Sequence, residues 1–423
     1  MRFSWLPVVA LSGLLSWGGA AQAAEAAAAP LTLAGAVDLA LKTRPELAGF
    51  QFTQRILSTR QAEAGFRPPP QVEFLVEDAL GTGAHRGFDV AQSSLLLSQV
   101  VELGGKAAGR SAVVEADGGR LLNEQAAQQL DVVAEVARRY LEVLAGQWRY
   151  ELAGNAVQIA QAGQLKVDER VKASRAPPAE AARAGVQLWD AKLLVQDAEH
   201  ELEIARRYLA AAMGEEQVRF GRATGDLLTL PETESFEALA SRIAQTPELL
   251  RFASEERMRD AEIRLAELQR RADPRLTLGV RRFEQSNDVA LVLGITMPLF
   301  ASRTAQPAID RARAQRELAG TGREAQRLKL RAQLFSAFTQ LQHEQALSKT
   351  LRTELMPRLE TALAQATYAY ERGRYSYLEW TTAQRELLEG RLRLLESAAR
   401  FHLLRIEIER LTGTALNAAG ETR

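Results

Sequence analysis

The stretch Thr43-Arg44-Pro45-Glu46-Leu47, near the start of the chain, has a counterpart in Gln245-Thr246-Pro247-Glu248-Leu249 about 200 residues later. In both stretches a proline is followed at once by a glutamate, which is typical of the first turn of an α-helix. Both therefore predict a helix start. Recurrence at such a distance indicates that the chain contains two copies of one structural unit.

The segments that follow the two predicted helix starts agree in order. Pro70 precedes an alternating run at 71–77, and Pro274 precedes another at 275–280. Alternation with a period of two predicts β-strands. A polar loop, a second alternating run, a long helix, a turn and a closing helix come next in each half. The predicted organisation is two copies of helix–strand–strand–helix–helix, a mainly α-helical fold with a small β part.

The repeat also sets the expected domain boundaries. The first copy contains a β-hairpin at about 71–101, and the second contains one at about 275–298. In chain order, the segments are a signal peptide at 1–23, the first repeat at 24–214, a linker with the start of the second repeat at 215–247, the second repeat at 248–413, and a tail at 414–423.

The first residues predict export. Arg2 supplies a positive charge, the run from Val8 to Leu15 is mostly apolar, and Ala21-Gln22-Ala23 is a typical cleavage site of a secretory signal peptide. The alternative, a membrane anchor that stays attached, needs about 20 apolar residues, and this run is shorter. No comparable apolar run follows, so we expect an exported chain without a transmembrane helix.

Composition and motifs argue against an enzyme or a nucleic-acid-binding protein. Lys+Arg and Asp+Glu are balanced at 53 each, so no net charge favours nucleic acid. The sequence has no cysteine, and it offers no acid–base pair, cofactor motif or metal-ligand spacing. Leu103-Gly104-Gly105-Lys106 lacks the rest of a phosphate loop and predicts a tight strand-to-helix turn. The histidines without ligand spacing are His85, His200, His343 and His402.

Two proline-free stretches predict very long helices. They extend from about Lys106 to Val171 and from about Ile309 to Met356. At about 1.5 Å per residue, a helix of about 66 residues is about 100 Å long. Such lengths favour coiled coils or helical arrays. Two shorter helices stacked end to end, at about Leu33–Gly65 and Pro178–Met213, match one long helix in length.

The strand pairs have the length and pattern of a membrane-crossing β-sheet. Tilted strands of about 10 residues cross a bilayer, and one apolar face and one polar face suit a transmembrane barrel wall. Two hairpins cannot close a barrel alone, so subunits must share the wall. The alternative is a pair of hairpins in a soluble β-domain. The residues expected to face lipid are Val72, Phe74, Val76, Val289, Leu291, Leu293 and Ile295.

The second run of the first half does not fix its own orientation. Ser93 and Ser94 are adjacent, and Leu95–Leu97 is a continuous apolar stretch, so neither face is clearly apolar. Which side of this strand faces lipid therefore stays open.

The turns between the long helices and the closing helices are candidate functional segments. Tyrosines and Trp380 surround the second turn, Glu371-Arg372-Gly373-Arg374. If several subunits meet at this end, the charges of the turns form a ring that can close a channel and bind a partner. The alternative is an ordinary helix–helix turn with packing aromatics. The candidate gate and docking residues are Arg170, Ala173, Arg175, Ala176, Glu371, Arg372, Gly373, Arg374, Tyr375 and Ser376.

Over nearly the whole mature chain, these features resemble the TolC-type outer membrane efflux proteins. Val76-Glu77-Asp78-Ala79, together with Ser98-Gln99-Val100-Val101-Glu102-Leu103-Gly104-Gly105-Lys106, is similar to the cobalt–zinc–cadmium resistance branch of that family. Met297-Pro298-Leu299-Phe300 is similar to the family's proline-containing end of the last strand. The first half departs from this pattern, because Val100 stands where the proline falls.

The resemblance implies a homotrimer in the outer membrane of a Gram-negative bacterium. Each chain would give four strands to a twelve-stranded β-barrel and its long helices to an α-helical barrel that crosses the periplasm. The implied partners are outer-membrane lipid, a periplasmic adaptor protein and an inner-membrane transporter of the resistance–nodulation–division type. No cofactor and no catalysis are implied. The gate and docking surface would lie at Arg170–Ala176 and Glu371–Ser376, and the branch implies heavy-metal cations as cargo.

Three alternatives stay open at the level of sequence. Within the family, the chain could serve drug efflux or type I secretion. A periplasmic coiled-coil scaffold without a pore explains the helices but leaves the two hairpins unexplained. An adaptor would carry one helical hairpin between split β-domains rather than two tandem copies.

Overall fold

The computed structural model describes residues 29–413, so the signal peptide expected at 1–23 and the tail expected at 414–423 lie outside the described residues. In chain order, the helices and strands are α1 (Leu33–Thr43), α2 (Pro45–Gly65), β1 (Gln71–Glu77), β2 (Gln92–Val100), α3 (Lys106–Lys172), α4 (Pro178–Ala212), α5 (Phe236–Arg242), α6 (Pro247–Leu268), β3 (Arg275–Phe283), β4 (Val289–Thr296), α7 (Ala301–Thr350), α8 (Met356–Glu371) and α9 (Tyr377–Thr412). In residues 29–413, no helix combines the length and the apolar character needed to cross a membrane.

The repeated Pro-Glu stretches begin α2 and α6. Pro45 and Pro247 each occupy the first helical position, where a missing backbone N–H costs no hydrogen bond. The Thr246 side chain caps α6 by accepting a hydrogen bond from the N–H of Leu249, whereas Arg44 gives α2 no side-chain cap. A helix break at Arg44 separates α1 from α2, so the first predicted helix is two helices.

The four strands form one antiparallel sheet in the order β1-β2-β3-β4. Leu95 pairs with Phe74 on one side and with Val280 on the other, and Leu97 pairs with Val72 and Leu278. Directly paired residues share a face of the sheet. Leu95 and Leu97 therefore belong to the apolar face, which fixes the orientation that the sequence of β2 left open.

One face of the sheet is apolar and exposed in the single chain. It holds every residue expected to face lipid, from Val76, which is 41% exposed, to Ile295, which is 75% exposed. The full set is Val72, Phe74, Val76, Leu95, Leu97, Leu276, Leu278, Val280, Val289, Leu291, Leu293 and Ile295. The opposite face carries polar residues, including Gln71, Glu77, Ser94, Ser98, Arg275 and Arg281.

The helices follow the same lateral order as the strands. α3 packs against α2 and α4 on one side and against α6 and α9 on the other, and α7 packs against α6 and α9. The chain is thus a slab whose two flanks are α2 with α4 and α7 with α8. The strand β1 follows α2 and β4 precedes α7, so the edges of the sheet lie at the same two flanks as the edge helices.

The main core lies where α1, α3 and α4 meet the segment at 220–227. Tyr140 is buried there, and its hydroxyl lies 2.7 Å from the carbonyl oxygen of Leu31 and accepts a hydrogen bond of 3.0 Å from the N–H of Thr224. Leu31 also forms a parallel bridge with Ala223. These bonds fix the middle of the molecule and leave two helical hairpins, α3–α4 and α8–α9, to extend from it.

Candidate functional site at the helical tip

Two short turns make up the tip of the molecule. The first connects α3 to α4 at 173–177, and Ser174 adopts a positive φ of 56° in it. The second connects α8 to α9 at 372–376, and Gly373 supplies its positive φ of 70°, a backbone region that favours glycine. Ser376 and Glu379 then form a reciprocal capping box that begins α9.

The two turns contact each other through charged side chains of α3. The Lys166 Nζ lies 2.6 Å from the Glu371 Oε1. The Arg170 guanidinium donates a hydrogen bond to the carbonyl oxygen of Tyr370 and lies 4.4 Å from the centroid of its ring. These contacts join residues about 200 positions apart and hold the two hairpins together at their ends. We call these two contacts, Lys166–Glu371 and Arg170–Tyr370, the tip latch.

A buried aromatic cluster lies behind the tip latch. Tyr370 and Trp380 stack with ring centroids 4.8 Å apart and planes 8° apart, and Tyr377 packs edge-on against both. The Trp380 Nε1 donates a hydrogen bond of 3.0 Å to the Thr367 Oγ1, and the Tyr377 hydroxyl donates one to the Gln187 Oε1 on α4. Every polar atom of the cluster that donates thus has a partner, which suits a packed contact between the hairpins.

The environment of the tip fixes the charge of its titratable groups. Burial, together with Tyr370 and Glu180, raises the pKa of Tyr377 to about 12, and burial also raises the pKa of Tyr370. The hydrogen bond and charge of Lys166 lower the pKa of Glu371. At neutral pH the tyrosines are therefore neutral hydrogen-bond donors, and Glu371 is a carboxylate.

Only some of the residues expected at the gate join the contacts between hairpins. Arg170 and Glu371 form the tip latch, and the Arg372 guanidinium instead covers the Tyr368 ring of its own helix at 3.9 Å. Ala176 is half-buried, and the remaining expected residues lie exposed in or beside the two turns: Ala173, Arg175, Gly373, Arg374, Tyr375 and Ser376.

The sequence did not reveal the partners of the cluster. Lys166, Gln187 and Thr367 lie inside regular helices without a turn signal, and Glu180 lies in the first turn of α4, just after Pro177 and Pro178. The four-residue spacing of Lys166 and Arg170 was the one available sign that these two side chains face the same neighbour, because residues four apart share a helix face.

The motif that carried the family resemblance forms a junction between the two halves. Gly104 and Gly105 adopt positive φ angles of 83° and 77°, so the segment is a tight turn that leads into α3. The Lys106 Nζ lies 2.6 Å from the Asp273 Oδ2, and the Leu103 N–H donates a 2.9 Å hydrogen bond to the other oxygen. Burial opposes ionisation of Asp273, but the bonds from Lys106 and Leu103 lower its pKa.

Within residues 29–413, no group of three or more His, Cys, Asp or Glu side chains could hold a metal ion. His402 is buried, and its Nε2 lies 3.1 Å from the carbonyl oxygen of Leu227. Burial lowers the pKa of His402, so its ring is neutral at pH 7 and acts as a packed core residue.

Comparison with known proteins supports one family. The family model described as "Outer membrane efflux protein" matches residues 240–414. The cobalt-zinc-cadmium resistance protein CzcC of Cupriavidus metallidurans is 28% identical over 389 residues, which cover 92% of this chain and 91% of CzcC.

Solved structures show the same fold. Structures of CusC have a TM-score of 0.74 and 16% identity, with 91% of this chain and 93% of CusC covered. VceC from Vibrio cholerae has a TM-score of 0.71 and 16% identity, with 90% and 96% covered. The open state of the MtrE outer membrane channel of Neisseria gonorrhoeae has a TM-score of 0.72 and 16% identity, with 92% and 91% covered.

These findings confirm the fold class expected from the sequence, mainly α-helical with a small four-stranded part, and the expected outer-membrane location. In its fold, and in its sequence over almost its full length, the chain is similar to proteins of outer membrane efflux.

Proposed function

We propose that three copies of this chain form the exit duct of a tripartite efflux system, a passive conduit for heavy-metal cations that closes at its helical tip. The partners in this proposal are a periplasmic adaptor, an inner-membrane transporter of the resistance–nodulation–division type and the lipid of the outer membrane. The observation that carries the proposal is the four-stranded sheet, with one exposed apolar face and two free edges.

The apolar face needs a covering that the single chain lacks. Leu293 and Ile295 are 73% and 75% exposed, and the rest of the face is exposed as well. A contiguous apolar patch of this size is unusual on a soluble monomer and marks a membrane or protein contact. Lipid is the covering that suits strands of this length and alternation.

The free edges argue for several copies of the chain. Within residues 29–413, β1 pairs only with β2 and β4 pairs only with β3. An unpaired strand edge is not tolerated in lipid, so β4 of one copy must pair with β1 of the next until the wall closes. The number of three copies in this proposal is taken from the family. The copies would contact one another through the two flanks of the slab, where the edge strands and the edge helices lie.

The polar face of the sheet suits a water-filled interior. The Arg281 guanidinium donates hydrogen bonds to Ser94 and Gln92, at 2.9 and 3.1 Å, and lies 3.0 Å from the Glu77 Oε2. Arg275 donates a 2.7 Å hydrogen bond to the Gln71 side chain. The two arginines are thus held by neighbouring strands at the wall, which leaves the centre of a wide barrel open to solvent.

The gate and the adaptor-docking surface in this proposal are the two turns at the tip, from Arg170 to Ala176 and from Glu371 to Ser376. The tip latch supports this assignment because its two contacts lie at the ends of the hairpins. The exposed charges of the turns, Arg175 and Arg374 among them, are free to face a partner or a ring of other copies.

The proposal that the cargo is a heavy-metal cation rests on the similarity to CzcC, which is named for resistance to cobalt, zinc and cadmium. A wide duct needs no coordination site of its own, since the transporter that feeds it selects the cargo. The alternative is a drug-efflux or secretion duct of the same family, and the experiment must distinguish it from a duct for heavy metals.

The test is growth of a strain without this gene on graded zinc, cobalt, cadmium, copper and nickel, with dyes and detergents alongside. The strain is complemented with the wild-type gene, with Leu291→Arg, or with Val292→Arg. Leu291 and Val292 are adjacent in β4 and lie on opposite faces of the sheet. An arginine that faces mid-bilayer lipid costs about 2–4 kcal/mol, whereas one that faces the lumen can stay in water.

We expect sensitivity to metals alone, rescue by the wild type and by Val292→Arg, and no rescue and few membrane trimers for Leu291→Arg. Sensitivity to dyes and detergents without sensitivity to metals would keep the duct and overturn the metal cargo. Equal rescue and equal trimer yield from both arginine variants would overturn the assignment of the apolar face to lipid.

A further inference from the structure

The apolar face of the sheet continues past the ends of the strands on the side of the helices. Met297 follows β4 and continues the alternation of Leu293 and Ile295. Leu103 follows β2 and continues the alternation of Leu95 and Leu97 in the same way. Both side chains are exposed. The apolar surface therefore extends into the connections between strands and helices.

The connection between β4 and α7 exposes larger apolar side chains still. Leu299 and Phe300 are each 75% exposed, and Phe300 adopts a positive φ of 62°, which is unfavourable for a bulky residue. Phe66, at the end of α2 beside the other edge strand, is 70% exposed. Side chains of this size need an apolar cover. We call this set the apolar rim: Phe66, Leu103, Met297, Leu299 and Phe300.

Exposed arginines accompany the apolar rim at both edges of the sheet. Arg67 directly follows Phe66, and it is exposed. Arg303 is exposed as well and lies in the first turn of α7, three residues after Phe300. Residues three apart share one side of a helix. At each edge, an aromatic ring and a guanidinium group thus lie side by side.

A third exposed arginine lies in the middle of the sheet, before β3. The Arg271 side chain rests against the turn after Leu103, because a Cβ added at Gly104 would lie 2.7 Å from the Arg271 Cδ. Its neighbour Arg270 donates a 2.7 Å hydrogen bond to the Gln306 side chain. We call Arg67, Arg271 and Arg303 the rim arginines.

The rim arginines keep their positive charge without a carboxylate partner. In the part of the chain from 29 to 413, none of the three forms an ion pair with Asp or Glu. The two carboxylates of the strand–helix connections are already used. The Glu102 Oε1 lies 2.6 Å from the Arg110 Nη1, and the Asp273 Oδ2 lies 2.6 Å from the Lys106 Nζ. The rim therefore presents a net positive charge beside an apolar surface.

The other end of the sheet treats its lipid-side arginine differently. Arg282 pairs with Val289, so it lies on the lipid-facing side near the loops. Its Nε lies 3.2 Å from the Glu284 Oε1, and its guanidinium donates a 2.9 Å hydrogen bond to the Asn287 Oδ1. The chain itself thus neutralises Arg282, whereas it leaves the rim arginines for an anion from outside.

The length of the strands places the rim at the boundary of a bilayer. β3 has nine residues, and a strand of that length tilted by about 40° spans about 23 Å. The apolar band of a transmembrane barrel is about 25 Å tall. The layer of headgroups beyond the hydrocarbon core is about 5–7 Å thick on each side. An arginine at the rim therefore reaches the depth at which lipid phosphates lie.

We propose that the apolar rim and the rim arginines bind anionic phospholipids of the periplasmic leaflet, with the guanidinium groups on the phosphates and the apolar side chains against the acyl chains. This inference rests on the proposed function, which places the sheet in the outer membrane and the helices in the periplasm. Guanidinium groups match the geometry of a phosphate, and their apolar stems lie along the boundary of the bilayer. The lipid supplies the cover and the negative charge that the single chain lacks.

The first test locates the rim. Since the sequence has no cysteine, Leu299→Cys carries a single spin label on each copy, and Leu293→Cys is the reference in the middle of the apolar face. The trimers are placed in bilayers of phosphatidylcholine with phosphatidylglycerol. Oxygen dissolved in the bilayer and a water-soluble nickel complex then compete to relax each label. We expect oxygen to reach both labels and the nickel complex to reach neither, or the Leu299→Cys label weakly.

The second test measures the choice of headgroup. Native mass spectrometry of detergent-solubilised trimers gives the affinities for phosphatidylglycerol and for phosphatidylcholine with the same acyl chains. A basic residue near an anionic lipid contributes about fivefold in binding. Arg67→Gln with Arg303→Gln should therefore lower the affinity for phosphatidylglycerol about fivefold at each site and leave that for phosphatidylcholine unchanged. The control is Arg183→Gln with Arg393→Gln, two exposed arginines of the helical hairpins, which should change neither affinity.

Several results would overturn the inference, and they are distinguishable from failure of the proposed function. A Leu299→Cys label that the nickel complex reaches freely faces water, and one that neither reagent reaches is covered by the neighbouring copy. An equal loss of phosphatidylglycerol from both double variants, or no loss from either, excludes the rim arginines. In each case the duct stands as long as oxygen reaches the Leu293→Cys label. If oxygen does not reach that label, the sheet is not in lipid and the proposed function fails as well.

Discussion

The α3–α4 hairpin and the α8–α9 hairpin reach the same tip with different construction. The first contains an unbroken helix of 67 residues, and its turn has a non-glycine residue at positive φ and ends at Pro177, directly before Pro178 begins α4. The second is preceded by a π-turn at Leu351–Leu355, its two helices cross closely at Gly390, and its turn has a glycine and a capping box. Its tip also supplies all three rings of the buried aromatic cluster.

Because of this difference, the two hairpins contribute different kinds of side chain to the contact at the tip. The second hairpin provides the apolar mass, and the first provides the polar groups that hold it, with Lys166, Arg170 and Gln187 each bonded across. The two copies of one structural unit thus differ in their long helices as well, because α3 is unbroken and a π-turn separates α7 from α8.

The largest expected effect comes from Trp380→Ala. Trp380 is 4% exposed and stacks on Tyr370, and truncating a buried tryptophan costs about 3–5 kcal/mol. Hydrogen exchange of the backbone amides in α8 and α9 measures this loss as a drop in the free energy of local opening. Tyr375→Ala, in the same turn but 45% exposed, is the control and should change it by less than about 0.5 kcal/mol. Equal effects would show that the aromatic cluster does not hold the hairpins.

A smaller effect is expected from the glycine of α3 that faces the cluster. A Cβ at Gly163 would lie 3.2 Å from the Trp380 Cη2, whereas one at Gly154 meets nothing within 4 Å. Alanine in place of helical glycine gains up to about 1 kcal/mol, and overpacking costs about 1–3 kcal/mol. Gly154→Ala should therefore stabilise the tip and Gly163→Ala should not, as measured by the same exchange experiment. If both alanine substitutions stabilised the tip, the Trp380 ring would have to move aside without a loss of packing energy.

The smallest effect is a dependence on pH. Lys166 lowers the pKa of Glu371, so the folded tip favours the carboxylate. The contribution of this pair is fully present above the ordinary glutamate pKa, and it is lost as the pH falls through the lowered pKa. The distribution of distances between spin labels attached at Arg374→Cys in the separate copies should therefore broaden in acid. Glu371→Gln should remove that change, and a change that persists in Glu371→Gln would point to another group.

Much of the fold could be predicted from local pattern. Alternation marked β1, β3 and β4, prolines marked the starts of α2 and α6, and the absence of proline marked α3. The face of β2 could not be predicted, because Ser93-Ser94 and Leu95–Leu97 do not alternate. Its orientation comes from pairing with β1 and β3 on both sides, which a single strand's sequence does not encode.

The tip was predictable as a place but not as a set of contacts. Glycine and proline marked both turns, and the tyrosines marked the second one. The partners Lys166, Glu180 and Gln187 come from helices about 200 residues away, and little in the local sequence, beyond the four-residue spacing of Lys166 and Arg170, distinguishes them from solvated positions. Pro357 predicts an interruption of the helix, but the sequence does not show that this interruption is a π-turn through which the helix continues.

The junction between Lys106 and Asp273 also bears on how the chain folds after export. The β2 strand must wait for β3, whose residues follow about 180 positions later, and Asp273 reaches Leu103 and Lys106 across a similar interval. A chain that crosses the inner membrane N-terminus first therefore delivers the β1–β2 hairpin well before its neighbour. During that interval the hairpin presents an open strand edge and an apolar face to the periplasm, the features that promote aggregation. Secretion of this protein should accordingly depend on a chaperone that shields the first hairpin until the second half arrives.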